Sequence, residues 1–232
     1  MHTSSDSLPR AVLWDMDGTL LDSAEYHWLS WREALAAEGY ALTREQFART
    51  FGQRNDTILR TLFGPELSDA AIQRIGDAKE QRYRELIRER GIDLLPGARD
   101  WLARLHAAGW RQAIASSAPR LNIEAILDVL AIRPFFDALV SAEDVQRGKP
   151  DPQVFLVAAA RLDVPPERCV VVEDAAAGVE AARRAGMRVI AVGTAHPPHS
   201  ADLVTPSLDR LPEDAFERLI PAAARQTDRS YR

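Results

Sequence analysis

The chain has 232 residues, 46% of them hydrophobic and 27% charged, the balance of an ordinary soluble globular protein with a sizeable core. A net charge of −5 and a pI near 5.6 argue against nucleic acid or an anionic membrane surface as main partner. The single cysteine, Cys169, excludes an internal disulfide framework. The polar stretch Met1–Pro9 has no apolar signal-peptide core, and no apolar run approaches the ~20 residues that span a bilayer, so no membrane is expected and the expected location is cytoplasmic.

The run Ala11-Val12-Leu13-Trp14 reads as a buried strand that delivers Asp15-Met16-Asp17-Gly18-Thr19-Leu20 at its C-terminal edge. That edge is where open α/β sheets place ligands. Asp15 and Asp17 are separated by one residue and point the same way while the chain stays extended. Two such carboxylates repel unless a cation or a shared proton relieves them. Gly18 suits an unusual backbone angle and Thr19 local hydrogen bonding. Taken alone the segment is equally readable as an acidic turn. An EF-hand loop is excluded, because Gly18 comes too early and no glutamate closes a loop of the required length.

The period then changes. Ser23 to Glu38 reads as a helix closed by Gly39, with Ser23, His27 and Trp31 on one face. Thr43, with Gln46 three residues on, caps a second helix. Gly52-Gln53-Arg54-Asn55 is a break, Asp56 to Phe63 is helical, and Ser68 caps a long charged helix to about Arg90, read as a solvated face and closed by Gly91. From Leu94 helices and strands alternate. Pro96-Gly97 opens a helix ending at Gly109, and Arg111–Ala115 is a strand delivering Ser116 and Ser117. Arg120–Leu130 is a helix, Ala138–Ser141 a strand, and Asp151-Pro152 starts a helix to Leu162. Cys169–Val172 is a strand ending in Glu173-Asp174, Ala175–Ala185 a helix, and Arg188–Val192 a strand. The pattern predicts an α/β fold: a doubly wound parallel sheet, Rossmann-like, with a small helical cap inserted after the first strand. The core is assigned to residues 1–23 and 92–232 and the cap to 24–91. The tail from Ala222 is expected to fray.

In a parallel sheet these strand ends share one edge, so Asp15, Asp17, Ser116, Ser117, Lys149, Glu173 and Asp174 converge. Carboxylates in excess over one lysine call for a hard divalent cation bound through oxygen, and Mg²⁺ suits carboxylates plus a substrate phosphate. The cation and Lys149 would neutralise a phosphoryl group, Ser116 would donate a hydrogen bond to it, and one Asp would attack phosphorus while the other moves protons.

Asp15-Met16-Asp17-Gly18-Thr19, Ser116, Lys149-Pro150 and Glu173-Asp174 resemble, in order, the signature motifs of the haloacid-dehalogenase-like hydrolase superfamily. The likeness covers nearly the whole chain, and the helical insert resembles the family's small cap. It implies Asp15 as nucleophile and Asp17 as general acid/base. It implies Mg²⁺ held by Asp15, the backbone carbonyl of Asp17 and Asp174, with Glu173 assisting, and the phosphoryl group held by Ser116 and Lys149. The second aspartate favours phosphoryl transfer over dehalogenation.

Asp22-Ser23-Ala24-Glu25-Tyr26-His27, followed by Trp31, is similar to the branch of sugar phosphomutases and sugar phosphatases. In the mutases a basic residue precedes the cap-loop glycine and an Arg follows it by three. Here the segment is Thr50-Phe51-Gly52-Gln53-Arg54. The expectation is a phosphatase acting on a small phosphate ester, a sugar phosphate above all, with a phosphomutase as second reading and a phospho-accepting signalling module as third. The insert between first strand and sheet counts against the signalling reading, since a cap excluding water serves catalysis. His27, Trp31 and Arg54 are the candidate cap contacts, with Trp31 also readable as a packing residue. His196-Pro197-Pro198-His199 reads as a polar turn, not a metal pair, and Cys169 as a buried structural thiol.

Overall fold

The computed structural model describes residues 8–193 and 201–221; His196, His199 and the tail from Ala222 lie outside the described residues. Strand β1 (Ala11–Trp14) is followed by helices α1 (Ala24–Ala37), α2 (Arg44–Thr50), α3 (Asn55–Phe63) and α4 (Asp69–Arg90). Helices and strands then alternate: α5 (Ala98–Ala107), β2 (Arg111–Ala115), α6 (Arg120–Leu130), β3 (Ala138–Val140), α7 (Gln153–Arg161) and β4 (Cys169–Glu173). The chain continues through α8 (Ala176–Arg184), β5 (Arg188–Val192), β6 (Leu203–Thr205) and α9 (Ala215–Leu219).

The strands form one 6-stranded sheet in the order β3-β2-β1-β4-β5-β6, every neighbouring pair parallel. β1 is buried on both faces, as its unbroken apolar run requires. Val12 and Trp14 pack with Leu102 of α5, Ile126 of α6 and Phe216 of α9. Ala11 and Leu13 pack with Phe155 of α7 and Val179 of α8, as the pleat dictates. The strand order reverses between β1 and β4, so the crevice beyond their C-terminal ends is the switch point where such sheets bind ligands.

Between β1 and α5 the chain is helical, with its own apolar cluster of Trp28, Trp31, Leu35, Phe47, Leu59 and Ile75. The capping box of Thr43 and Gln46 is formed, and Ser68 accepts from the Ala71 amide at 3.3 Å. α4 belongs to both clusters, with Ile75 in the cap and Tyr83 and Ile87 in the sheet core.

Several sequence expectations are corrected. α7 begins after Pro152; Asp151 instead accepts from the Gln153 amide at 3.0 Å one position further in. β6 and α9 have no counterpart in the sequence reading, being too short for a periodicity window. The charged face of α4 is not wholly solvated: Lys79 is 2% and Glu80 7% exposed. Among the described residues no helix is long and apolar enough to cross a membrane.

α9 carries weight beyond its length. The ring of Phe216 sits 5.0 Å from Trp101, 5.9 Å from Trp110 and 6.1 Å from Trp14. Phe216→Ala empties that site and is expected to cost about 3–5 kcal/mol, read by urea unfolding. A loss under about 1 kcal/mol would mean that α9 is not part of the core.

Candidate active site

Asp15 continues the line of β1, its amide donating to Val172 O at 3.0 Å. The chain then turns tightly, with Gly18 N donating to Leu21 O at 2.8 Å and Leu20 N to Met16 O at 2.9 Å. Gly18 has φ +89°, and a β-carbon there would lie 2.1 Å from Asp174 Oδ2. Both the angle and the close approach demand glycine. Thr19 Oγ1 donates to Asp174 Oδ1 at 3.1 Å, tying the β1 loop to the end of β4.

Lys149, from the loop before α7, donates to Asp15 Oδ1 at 2.5 Å and to Glu173 Oε2 at 2.6 Å. Burial opposes its charge, but the two carboxylates outweigh burial and raise its pKa above the ordinary lysine value. Glu173 is 1% exposed and also accepts from the Ala175 amide at 3.1 Å. Burial, then the charge of Asp15, pushes Glu173 up to about 8. Asp174 is pushed up to about 7 by burial and then by Asp15. Asp15 itself is raised by burial, which the attraction of Lys149 does not cancel. Asp15, Glu173 and Asp174 bring carboxylate oxygens within 4.8 Å of one another. One ammonium does not neutralise them, and an all-oxygen donor set with excess negative charge fits a hard divalent cation such as Mg²⁺.

Ser116 directly follows β2, is 2% exposed, and accepts from the Ala118 amide at 3.1 Å, so its own proton remains for a ligand. It is Ser116, not Ser117, that caps this turn. Ser117 is partly buried beside it.

Asp17 faces the cap. Ser23 Oγ donates to its Oδ1, and His27 Nε2 lies 3.5 Å from the same oxygen. Burial would raise Asp17, but the hydrogen bonds from His27 and Ser23 leave it below the ordinary value. His27 stacks on Tyr83 at 4.3 Å and tilts against Phe51 at 5.7 Å. Burial, then the charge of Lys79, lowers its pKa. Lys79 Nζ lies 2.9 Å from His27 Nδ1 and 5.4 Å from the ring centres of Trp31 and Tyr83.

The structure thus gathers Asp15, Lys149, Glu173 and Asp174 into one cluster and joins Asp17 to Ser23 and His27. It does not bring Trp31 to the opening: that ring is 2% exposed inside the cap cluster, because the face shared with His27 points into the cap. Arg54 lies at the rim, pairing with Asp56 at 3.5 Å, and its Cδ would meet a β-carbon on Gly148, next to Lys149, at 3.6 Å. Lys79 and Tyr83 were missed. Their signal was register: Ile75, Lys79, Tyr83 and Leu86 share one stripe of α4, and a lysine on an apolar stripe marks a buried charge. Cys169 is buried, and burial pushes its thiol up to about 12, an inert structural group.

Two outcomes follow from this geometry. Gly18→Ala displaces Asp174 and is expected to weaken Mg²⁺ binding about 10–100-fold, read by titration calorimetry; unchanged affinity would remove Asp174 from the metal site. The raised pKa values of Glu173 and Asp174 favour the protonated folded state, so their stabilisation is complete below the ordinary carboxylate range. It is lost as pH rises through about 7 to 8 in metal-free protein. Mg²⁺ should therefore raise the Tm more at pH 8 than at pH 5, and a larger shift at pH 5 would contradict the placement.

Residues 9–186 match the family model described as haloacid dehalogenase-like hydrolase. The chain is 37% identical over 201 residues to beta-phosphoglucomutase of Bacillus subtilis, covering 84% of this chain and 88% of that one. It is 36% identical over 210 residues to hexitol phosphatase A of Escherichia coli, covering 87% and 93%. The crystal structure of CbbY from Rhodobacter sphaeroides in complex with phosphate superposes with a TM-score of 0.81 at 31% identity, covering 88% of this chain and 96% of that one. Fold, motif order and overall similarity agree: the chain belongs to the haloacid dehalogenase-like hydrolase family.

Proposed function

We propose that the protein is a Mg²⁺-dependent phosphatase of a small phosphorylated sugar or polyol, working through a phosphoryl group carried on Asp15. The observation that carries this reading is the junction of β1 and β4. There a carboxylate paired with a buried lysine stands beside two further carboxylates, and a second aspartate is held by a histidine from the cap.

Residues 24–91 act as the cap over a core of 1–23 and 92–232. Lys149 and the Ser116 hydroxyl bind the phosphoryl oxygens and offset their charge. Asp15 attacks phosphorus and the ester oxygen leaves. Asp17 rests as a carboxylate; a phosphoryl group arriving nearby raises its proton affinity, so it can carry a proton to the leaving oxygen and afterwards take one from the water that attacks the aspartyl-phosphate. Asp15, Asp174 and the backbone carbonyl of Asp17 would hold Mg²⁺, with Glu173 assisting through Lys149. The ion supplies charge neutralisation and polarises the phosphoryl group.

The likeness to a phosphomutase supports a second reading, and the rim of the site weighs against it. A mutase must grip the phosphate that is not being transferred. Here Phe51, 40% exposed, precedes the cap-loop glycine, Arg54 is paired with Asp56, and the charge of Lys79 is met by Glu80 at 2.9 Å.

A panel of hexose 1- and 6-phosphates and hexitol phosphates, assayed for released phosphate with Mg²⁺ and with EDTA, tests both readings. Free phosphate should be the product, EDTA should abolish it, and Asp15→Asn should lower kcat at least about 10⁴-fold with an unchanged melting temperature. Retained activity of Asp15→Asn on all esters would overturn the nucleophile assignment. Conversion of β-glucose 1-phosphate to the 6-phosphate outpacing phosphate release, with a bisphosphate primer present, would make the protein a mutase.

A further inference from the structure

One buried polar cluster lies outside the phosphoryl chemistry. Glu80 Oε1 accepts from Lys79 Nζ at 2.9 Å and from Asn55 Nδ2 at 2.8 Å, and its Oε2 accepts from Asn122 Nδ2 at 2.6 Å. Asn122 Oδ1 in turn accepts from Arg84 Nη1 at 2.9 Å. Glu80 is 7% exposed and Asn122 not at all. Burying a carboxylate and an ammonium together gains little over an apolar pair of similar volume, while removing one partner leaves a stranded charge. Stability alone does not call for this cluster.

Its branches end at three parts of the site. Asn55 opens α3, directly after the loop that sets Phe51 and Arg54 at the rim. Asn122 belongs to α6, whose start follows the Ser116 turn, so its bonds to Glu80 and Arg84 join cap helix to core helix. Lys79 reaches His27 Nδ1. An ammonium only donates, so Nδ1 is the acceptor there and the proton of a neutral His27 sits on Nε2, the nitrogen facing Asp17.

We propose that Glu80 and Asn122 are positioning residues for the acid–base pair: together they seat the cap on the core and hold Lys79 against His27, fixing the tautomer presented to Asp17. The inference rests on the phosphatase reading. It makes the proton given to the leaving oxygen depend on a carboxylate that touches neither substrate nor metal.

The test uses Glu80→Gln, Asn122→Asp and the double variant. In the first single variant the introduced amide must turn its NH₂ group toward existing donors; in the second a carboxylate faces a carboxylate. In the double variant the introduced glutamine oxygen accepts from Lys79 and Asn55, its nitrogen donates to the introduced aspartate, and Arg84 keeps an acceptor. Every bond is restored with the charge moved. Each is assayed on p-nitrophenyl phosphate, whose leaving group departs without a proton, and on the panel's best sugar or polyol phosphate, whose leaving group needs one.

The singles should lose about tenfold or more in kcat on the sugar ester and less than about threefold on the nitrophenyl ester, and the double variant should recover most of the loss. Equal losses on both esters, no loss, or a double variant no better than the singles would overturn the proposal. If a single variant does not fold, the double variant decides, since it must keep the unaltered enzyme's ratio of the two rates. Activity surviving in Asp15→Asn would instead overturn the assignment of Asp15 as nucleophile, and no phosphate released from any ester by the unaltered enzyme would sink the phosphatase reading. An inactive Asp15→Asn beside singles with no leaving-group dependence sinks this inference alone.

Discussion

The site depends on Lys149 standing between Asp15 and Glu173, at 2.5 and 2.6 Å. An ammonium buried at the junction of β1 and β4 would be untenable alone, and so would the carboxylates. Burial first, and then the excess negative charge they still carry together, raises the pKa values of Glu173 and Asp174 above the ordinary carboxylate range. A site in this state fits the cation and the phosphoryl group of the proposed reaction together. The strand order supplies the place, because only at the switch point do chain segments leave in opposite directions and open a crevice.

α4 does a second kind of work. Its N-terminal half completes the cap's apolar cluster and its C-terminal half joins the sheet core. Between those halves Lys79 and Glu80 carry charge into the interior. The helix is therefore a beam spanning cap and core, and what it presses against Asp17 is His27, gripped by Tyr83 on one face and by Lys79 at one nitrogen. The two aspartates of the β1 loop, so close in sequence, consequently meet different environments. Asp15 meets the lysine and the carboxylates at the end of β4, and Asp17 meets a hydroxyl and an imidazole. Differing surroundings are how like residues take different chemical roles.

The strands that carry the site were legible because each is a short apolar run ending in polar residues, and the parallel arrangement then puts those ends on one edge. Gly18 was legible as a backbone requirement, though not the 2.1 Å approach to Asp174 that enforces it. The Glu80 node was not, since its partners Asn55 and Asn122 lie 25 and 42 residues away and a charged helix normally faces water. Helical spacing correctly put Ser23, His27 and Trp31 on one face, but one face can meet two surroundings: Asp17 at one end, the cap interior at the other. β6 and α9 escaped because their residues take regular structure from packing on a finished sheet, as Phe216 does among three tryptophans.

The central claim is that Asp15 takes the phosphoryl group covalently while the surrounding charges hold it. Quenching the enzyme in acid during turnover of its best substrate and reducing it with labelled borohydride converts an aspartyl-phosphate to homoserine at the residue that carried it. The account predicts label at position 15 and at no other position. Label at Asp17, at Asp174 or nowhere, from an enzyme that is visibly releasing phosphate, would contradict it.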